Sequence, residues 1–330
     1  MTWAVHLTGD HASLAQAELE AVCGPAQWLG PRIALVNASL EDVSRLAFLR
    51  EAGRFLFSTH DQVDVLDALA PTVAASAQPG SQAVASVRTG QTKSPNSQMI
   101  RRAWGTALAA EHPIDLHGAD HTVSAWFHDG QVTAVWRATV GATDHSRRGV
   151  EHRAHFSPVS LPPRVAAALV HLTGCRPGQT VYDPFCGTGG IALEAAMMGY
   201  QVLASDLDPW MVQGTLCTLT DAGPEPLDAD VFVADIGDAP DLASGVDGIV
   251  TDMPYGSAST TNQEALASLY GRAFEAFRAI LPVGGRAVIG HADAELLRPV
   301  EEHGFLVEHV HEHFVHKSLT RRYAVVKRDH

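Results

Sequence analysis

The chain is poor in cysteine and has no long apolar run. Its four cysteines are spread over 330 residues without Cys-x-x-Cys spacing, which argues against a disulfide framework and against a zinc site. No stretch approaches the roughly 18 consecutive apolar residues of a membrane-spanning helix. The N-terminus also lacks the basic and apolar segments of a signal peptide. These absences predict a cytoplasmic protein with neither a membrane partner nor a bound metal.

Positive charge is scarce as well. The chain has 23 Lys and Arg against 37 Asp and Glu, a net charge of -14, whereas nucleic-acid-binding domains usually carry a basic patch. Residues 151–330 hold 12 basic and 23 acidic residues, a net charge of -11, but residues 83–150 hold 7 and 5, a net charge of +2. The middle of the chain is therefore the segment suited to a polyanion. Its candidate nucleic-acid-binding residues are Arg88, Lys93, Arg101, Arg102, Arg147 and Arg148.

The N-terminal half mixes short apolar runs with helical patterns. Apolar periodicity predicts helices over residues 13–22 and 40–52. The poorly patterned residues 59–82 are typical of a connecting stretch. After these come an alternating strand, a helix ending near Ala110 and a hairpin whose turn is at residues 128–130. The pattern predicts small α+β domains over 1–58 and 59–142, then a polar, His- and Arg-rich linker over 143–160.

The C-terminal part, residues 161–330, alternates strands with helices. Strands and helices of this length in strict alternation predict an α/β fold with a doubly wound parallel sheet. The last two apolar runs, near 305–315 and 322–327, are joined by a short loop and predict an antiparallel pair at the edge of that sheet.

A glycine-rich turn, residues 183–190, follows the first of these strands and is called the glycine loop below. Gly187 and Gly189 allow the backbone to approach a ligand closely. Together with Ala192 they match the dinucleotide-binding fingerprint, which is weak evidence by itself. A carboxylate at Asp183 suits the ammonium of a methionyl group and would repel a pyrophosphate. The turn therefore favours S-adenosylmethionine over NAD.

Two further acids end the next two strands. Asp206 is placed to accept hydrogen bonds from ribose hydroxyls, whereas Asp208, followed by Pro209, has the form of a helix N-cap. Asp235 closes the third strand, where it is either an acceptor for an adenine amino group or a plain loop acid. Both roles are open at this point.

The residues Asp-Met-Pro-Tyr at 252–255, called the DMPY motif below, follow a strand of the same sheet. The Asp252 carboxylate and the Met253 carbonyl can accept hydrogen bonds from an aromatic amine and stabilise the cation that develops as it attacks a sulfonium methyl. Tyr255 offers a stacking face for an extruded base. Because guanine presents two adjacent donors, a carboxylate at Asp252 favours guanine over adenine.

Four stretches resemble the archaeal and eukaryotic tRNA (guanine-10-N2)-methyltransferases. They are HFSPVSLPPRVAAALVHLTG (155–174), VYDPFCGTGGIALEAAMMG (181–199), SDLDPWMVQGTL (205–216) and HKSLTRRYAVV (316–326). The upstream residues, roughly 1–142, resemble a THUMP RNA-binding domain preceded by its ferredoxin-like partner. One departure is Met253, where the family usually has a first proline, so that the loop loses rigidity but keeps the backbone carbonyl.

The resemblance implies a class I methyltransferase sheet that adds one or two methyl groups to the 2-amino group of guanosine 10 in tRNA. It implies a THUMP domain that docks the acceptor end of tRNA, and a small activator subunit is a further candidate partner. The implied catalytic residues are Asp252, Pro254 and Tyr255. The candidate cofactor-binding residues are Ser160, Asp183, Phe185, Gly187, Gly189, Asp206, Leu207 and Asp235.

Three basic residues, Lys317, Arg321 and Arg322, are predicted in the loop between the last two strands. They would grip phosphate or form a solvated hairpin tip. Two other functions are compatible with the sequence. One is methylation of an amino group in another RNA or in DNA, and the other is tRNA binding with weak or no catalysis.

Overall fold

The structure is a computed structural model, which describes residues 1–88, 97–140, 145–149, 155, 160–223, 225–254, 265–291, 297, 299–316 and 319–330. The chain divides into two compact units. Unit 1 comprises Met1–Ala12 and Cys23–Ala142, and unit 2 comprises Ser13–Val22 and Thr143–His330. Within the described residues, no helix has the length and apolar character needed to cross a membrane.

Unit 1 contains a mixed seven-stranded sheet. Its strands are β1 (Trp3–Leu7), β2 (Gln27–Gly30), β3 (Ile33–Val36), β4 (Leu49–His60), β5 (Gln82–Arg88), β6 (His121–His128) and β7 (Gln131–Arg137). They lie in the order β2-β3-β1-β4-β7-β6-β5. The helices in this part of the chain are α1 (Ala12–Cys23), of which residues 13–22 group with unit 2, α2 (Leu40–Arg45), α3 (Val63–Ala68), α4 (Ala70–Ala75) and α5 (Ser97–Ala109).

Strand β4 departs from the sequence prediction. The helix predicted over 40–52 ends at Arg45, and residues 49–60 instead form a strand paired with β1 and β7. Pairing on both sides outweighs the local helical pattern, because intrinsic helix propensity is weak compared with tertiary contacts. The boundary predicted between residues 58 and 59 falls inside this strand, so one sheet includes strands from both predicted N-terminal domains.

The stretch predicted to be a simple connection, residues 59–82, carries two short helices, α3 and α4. They supply Leu66 and Val73 to an apolar core that also contains Trp104 of α5. The predicted hairpin is confirmed, since β6 and β7 pair antiparallel. Its turn residues Asp129 and Gly130 have φ of 45° and 73°, as expected for a two-residue turn that matches strand twist.

Unit 2 contains the second seven-stranded sheet. Its strands are β8 (Thr180–Asp183), β9 (Gln201–Asp206), β10 (Ala229–Val233), β11 (Gly248–Asp252), β12 (Arg286–His291), β13 (Phe305–His316) and β14 (Leu319–Arg328). Their order is β10-β9-β8-β11-β12-β14-β13. The helices are α6 (Pro163–Leu172), α7 (Gly190–Met197), α8 (Pro209–Thr220), α9 (Ala239–Leu242), α10 (Leu266–Ile280) and α11 (Pro299–Glu302).

This second sheet confirms the predicted α/β fold. Strands β10, β9, β8, β11 and β12 are parallel, and β14 and β13 follow as an antiparallel pair. The strand order reverses between β8 and β11, and ligands of open α/β sheets bind at such a switch point, beside the carboxyl ends of the strands. The glycine loop leaves β8 at this edge and the DMPY motif leaves β11.

Candidate active site

A cavity of about 120 Å³ lies at the carboxyl ends of β8 and β11. Five predicted site residues line it: Ser160, Asp183, Phe185, Gly187 and Asp252. Residues from both motifs therefore face one space, although they lie about seventy positions apart in the chain. The other lining residues were not among the predicted catalytic or cofactor-binding residues; they are Leu161, Cys186, Thr188, Gly190, Ile191 and Met211.

The glycine loop has a backbone conformation that favours glycine at two positions. Gly187 and Gly189 have φ of +53° and +82°, a region that residues with a Cβ rarely adopt. At Gly189 space is limiting too, because a Cβ there would lie 3.0 Å from the Cα of Thr215. Gly189 is the N-cap of α7, so the loop ends in helix N–H groups at the edge of the cavity.

Asp183 is an almost completely buried carboxylate. Its Oδ1 accepts hydrogen bonds from the Thr251 hydroxyl at 2.7 Å and, more weakly, from the Phe185 N–H at 3.3 Å. Burial raises its pKa to about 7, and the charges of Asp206 and Asp252 act in the same direction. A cationic group in the cavity would favour the ionised carboxylate, so this residue fits an ammonium ligand.

Asp206 ends β9 and is tied to the glycine loop. Its two oxygens accept from the N–H groups of Gly187 and Asp208, each at 3.0 Å. Burial raises its pKa, and these two backbone donors oppose that shift. Leu207 beside it is 39% exposed. Asp208 caps α8 by accepting from the Trp210 N–H at 2.9 Å, which confirms its predicted capping role.

Asp235 is engaged by a neighbouring arginine. Arg272 donates to its two oxygens at 2.6 and 3.1 Å, and the Gly237 N–H donates at 2.8 Å. The ion pair with Arg272 lowers the pKa of Asp235. These contacts are typical of a loop acid, which is one of the two roles considered for Asp235. The other role, a hydrogen bond from the adenine amino group, stays a prediction.

The DMPY motif is anchored by its methionine. Met253 is fully buried in the core cluster that includes Tyr270 and Phe274, and its N–H donates to the Gly290 carbonyl at 3.0 Å. The Tyr270 hydroxyl approaches the Pro254 carbonyl at 3.4 Å. A buried side chain thus restrains the position where the resembling family usually has proline. Tyr255 lies outside the described residues.

Strands β12 and β14 complete the surroundings of Asp252. Asp252 pairs with Gly290 of β12, which pairs with Tyr323 of β14. A Cβ at Gly290 would collide with Oδ1 of Asp252, so the glycine leaves room for this carboxylate in its present orientation. Burial, together with the charge of Asp252, raises the pKa of the buried Tyr323 to about 12. Neither residue carries a sequence signal for this role.

The predicted RNA-binding residues differ in their surroundings. Arg88, Arg101, Arg102 and Arg147 are exposed, as a phosphate contact requires. The placement of Arg321 and Arg322 in the loop between the last two strands is wrong, because both belong to β14. Arg321 is buried and Arg322 pairs with Glu312 at 2.8 Å. Lys93 and Lys317 lie outside the described residues.

Arg148 has a buried partner. Its guanidinium donates to both oxygens of Glu194 on α7, each at 2.8 Å, and contacts His145 at 3.0 Å. Burial raises the pKa of Glu194, but hydrogen bonds from Arg148 and His145 outweigh it, so the net shift is downward. The ion pair fixes the turn at His145–Arg148 to the helix that begins at the glycine loop.

The strand order of unit 2, a strand-end acid, a glycine loop and a second acid on the next strand together define a class I methyltransferase fold. Residues 150–323, more than half of the chain, match the family model described as RMKL-like, methyltransferase domain. The chain belongs to this family.

Curated relatives carry related names. The tRNA (guanine(10)-N2)-dimethyltransferase of Methanothermobacter thermautotrophicus is 34% identical over 193 residues, which are 58% of this chain and 56% of that protein. The tRNA (guanine(6)-N2)-methyltransferase of Thermus thermophilus is 35% identical over 154 residues, 46% of this chain and 45% of that protein. The chain thus spans about half the length of these relatives.

Solved structures resemble the chain over nearly its whole length. TrmN from Thermus thermophilus matches with a TM-score of 0.56 and 24% identity, covering 99% of this chain and 100% of that one. At this identity the likeness establishes the fold.

Proposed function

We propose that the protein transfers methyl groups from S-adenosylmethionine to the exocyclic N2 of guanosine 10 in tRNA, once or twice, in the cytoplasm. The observation that carries the proposal is the common cavity of Asp183 and Asp252. One carboxylate is placed for the ammonium of the cofactor, and the other lies where the methyl-accepting amine would enter.

The residues of the glycine loop and its neighbours would hold the cofactor. Asp183 would pair with the ammonium, and the loop backbone would approach the methionyl portion closely. Asp206 would accept from ribose hydroxyls, with Ser160, Phe185 and Leu207 around the rest of the molecule. When bound, S-adenosylmethionine supplies a methyl group on a positively charged sulfur, which suits a site whose described acids are Asp183, Asp206 and Asp252.

Asp252 would act on the guanine. An aromatic amine is a poor nucleophile because its lone pair is delocalised into the ring. A carboxylate that accepts a hydrogen bond from N2 favours attack of that lone pair on the methyl carbon, and it stabilises the positive charge that forms on nitrogen. The proton then leaves N2 in the direction of Asp252. This direct displacement needs no covalent bond to the enzyme.

Unit 1 would dock the tRNA. We assign residues 59–142 to a THUMP domain and residues 1–58 to its ferredoxin-like partner, the two sharing one sheet through β4, and residues 143–160 to the linker. The exposed Arg88, Arg101 and Arg102 support this assignment, as does the positive charge of the middle segment. A small activator subunit is also part of the proposal, and full activity of the purified chain alone would exclude it.

The experiment uses the purified chain, S-adenosylmethionine and unmodified tRNA transcripts. Nucleoside mass spectrometry should detect N2-methylguanosine, and replacing G10 by A should remove it. A single-stranded DNA oligonucleotide serves as the alternative acceptor. Methylation of DNA but not tRNA would overturn the proposal. Binding of tRNA without binding of S-adenosylhomocysteine would support a non-catalytic protein instead.

Guanosine 6 is the second candidate target, because the Thermus thermophilus relative is named for that position and is 35% identical. Transcripts with G6 or G10 individually replaced by A separate the two. Loss of product only with the G6 replacement would move the target from position 10 to position 6.

A further inference from the structure

The glycine loop is held on one side by two threonines of α8. The Thr215 hydroxyl donates a 2.8 Å hydrogen bond to the Gly187 carbonyl. The Thr218 hydroxyl donates one of 2.9 Å to the Thr188 carbonyl. Residues three positions apart share one face of a helix, so one face of α8 fixes two successive carbonyls. Both threonines are buried. The Thr218–Thr188 bond is buried and the Thr215–Gly187 bond is partly buried, so a carbonyl that loses its hydroxyl donor loses a side-chain hydrogen bond in a shielded position.

These bonds determine how the loop peptides are oriented. Gly187 is fixed at both ends, because its N–H donates to Asp206 at 3.0 Å while its carbonyl accepts from Thr215. In a trans peptide the N–H points away from the carbonyl. Anchoring the Gly187 carbonyl to α8 therefore directs the Thr188 N–H away from Thr215, and Thr188 lines the cavity.

The packing of α8 on the loop is close. A Cβ at Gly189 would lie 3.0 Å from Thr215 Cα, and one at Gly214 would lie 3.3 Å from Thr188 Cγ2. There is little room for the loop to move towards the helix, so the two hydroxyls act on a loop whose position is already restricted.

We propose that Thr215 and Thr218 are positioning residues for S-adenosylmethionine. Neither is among the residues that line the cavity, so they act through the loop by fixing the peptides at Gly187 and Thr188. The inference rests on the proposed function.

The first test measures binding of S-adenosylhomocysteine to the full chain by calorimetry. Valine removes the hydroxyl and keeps the shape of threonine. Thr215→Val and Thr218→Val should each weaken binding by about tenfold, because a loop carbonyl loses its donor. Thr215→Ser restores the hydroxyl and should bind within about threefold of wild type. The matched control is Thr220→Val, whose exposed hydroxyl bonds the Leu216 carbonyl of its own helix at 2.8 Å; its binding should not change.

A second readout separates positioning from general destabilisation. The valine variants should raise KM for S-adenosylmethionine and leave KM for tRNA unchanged, whereas partial unfolding would lower the apparent kcat and leave both KM values unchanged. Should Thr215→Val fail to fold, Thr218→Val and Thr215→Ser carry the test. Wild-type affinity in the folded valine variants, or an equal loss in Thr220→Val, would overturn the inference. Absence of binding by the wild-type chain would contradict the proposed function and this inference with it.

Discussion

Asp183 makes opposing contributions to folding and to ligand binding. Its folded pKa of about 7 lies above the ordinary aspartate value of 3.8, so the fold disfavours its ionised form. The resulting penalty is absent below about pH 4, grows as the pH rises, and is complete above about pH 7. The ligand-free protein should therefore lose stability over this interval through Asp183, while affinity for a cationic ligand rises.

We expect Asp183→Asn to abolish binding of S-adenosylhomocysteine without lowering the thermal midpoint of the ligand-free protein. The amide can still accept from Thr251, and it removes a buried charge. Calorimetry between pH 5.5 and about 8.5 should show wild-type affinity rising with pH through about 7. A variant that keeps both its affinity and that pH dependence would show that Asp183 does not hold the ammonium.

At Asp252 we expect a substitution to impair methyl transfer and to leave cofactor binding nearly unchanged. Asp252→Asn should lower the rate of methyl transfer by at least about 100-fold, because an amide stabilises the developing positive charge poorly. Affinity for S-adenosylhomocysteine should stay within about threefold of wild type. The two aspartate variants thus serve as controls for each other in paired binding and single-turnover measurements. Near-normal turnover of Asp252→Asn would remove this residue from catalysis.

Gly290→Ala tests the space that Asp252 occupies. The added Cβ would collide with the Asp252 carboxylate, so we expect methyl transfer to fall by about tenfold or more while cofactor binding persists. Gly271→Ala on α10 is the control, because its Cβ would meet no atom closer than 4.0 Å. Equal effects of the two substitutions on turnover would contradict the steric account.

Among the elements, the turn at His145–Arg148 is fixed to α7 through the buried Glu194, which contacts both Arg148 and His145. Arg148→Ala would leave the completely buried Glu194 without its bidentate partner, and breaking such a pair costs roughly 3–5 kcal/mol. We expect a clear fall in the midpoint of thermal or urea unfolding. Arg147→Ala, at an exposed neighbour in the same turn, should change it little. Similar midpoints for the two variants would show that the pair contributes little to stability.

The elements of unit 2 could be predicted closely because glycines, prolines and caps mark their ends. The alternation of strands and helices predicted over 161–330 is found, for example in strand β9 (Gln201–Asp206) followed by helix α8 (Pro209–Thr220). In unit 1 the helical pattern over 40–52 failed beyond Arg45, since pairing with β1 and β7 decides the structure of β4. Such pairing is long-range and leaves no local signal.

The site was predictable where chemistry coincides with a strand end, as at Asp183 and Asp252. Residues that act from a different element were missed. Gly290 matters because it lacks a side chain, and Thr215 because its hydroxyl reaches a loop 28 positions earlier. Arg147 and Arg148 look equivalent in the sequence, and only the buried position of Glu194 on α7 distinguishes them.

For the whole molecule, the uneven charge predicts a division of tasks. The double substitution Arg101→Ala/Arg102→Ala on the exposed face of α5 should weaken tRNA binding by about tenfold at low salt. It should also make the affinity less dependent on salt. The slope of the logarithm of affinity against the logarithm of salt concentration should fall in magnitude by about one for each phosphate that the variant no longer neutralises. Binding of S-adenosylhomocysteine should not change.

Arg176→Ala is the matched control, since Arg176 is exposed just before the amino end of β8, away from the carboxyl edge. Filter binding over a salt series measures both quantities. An unchanged slope in the double variant would place the tRNA contact elsewhere.

The position of β14 between β12 and β13 has a consequence for synthesis. Within the described sheet β13 pairs with β14, yet the ribosome makes β13 before β14. Until β14 emerges, a nascent chain exposes the open side of β12 and an unpaired β13, and both are templates for unwanted association. The neighbourhood of Asp252 is therefore closed only after β13 has been made, by the strand that carries Tyr323.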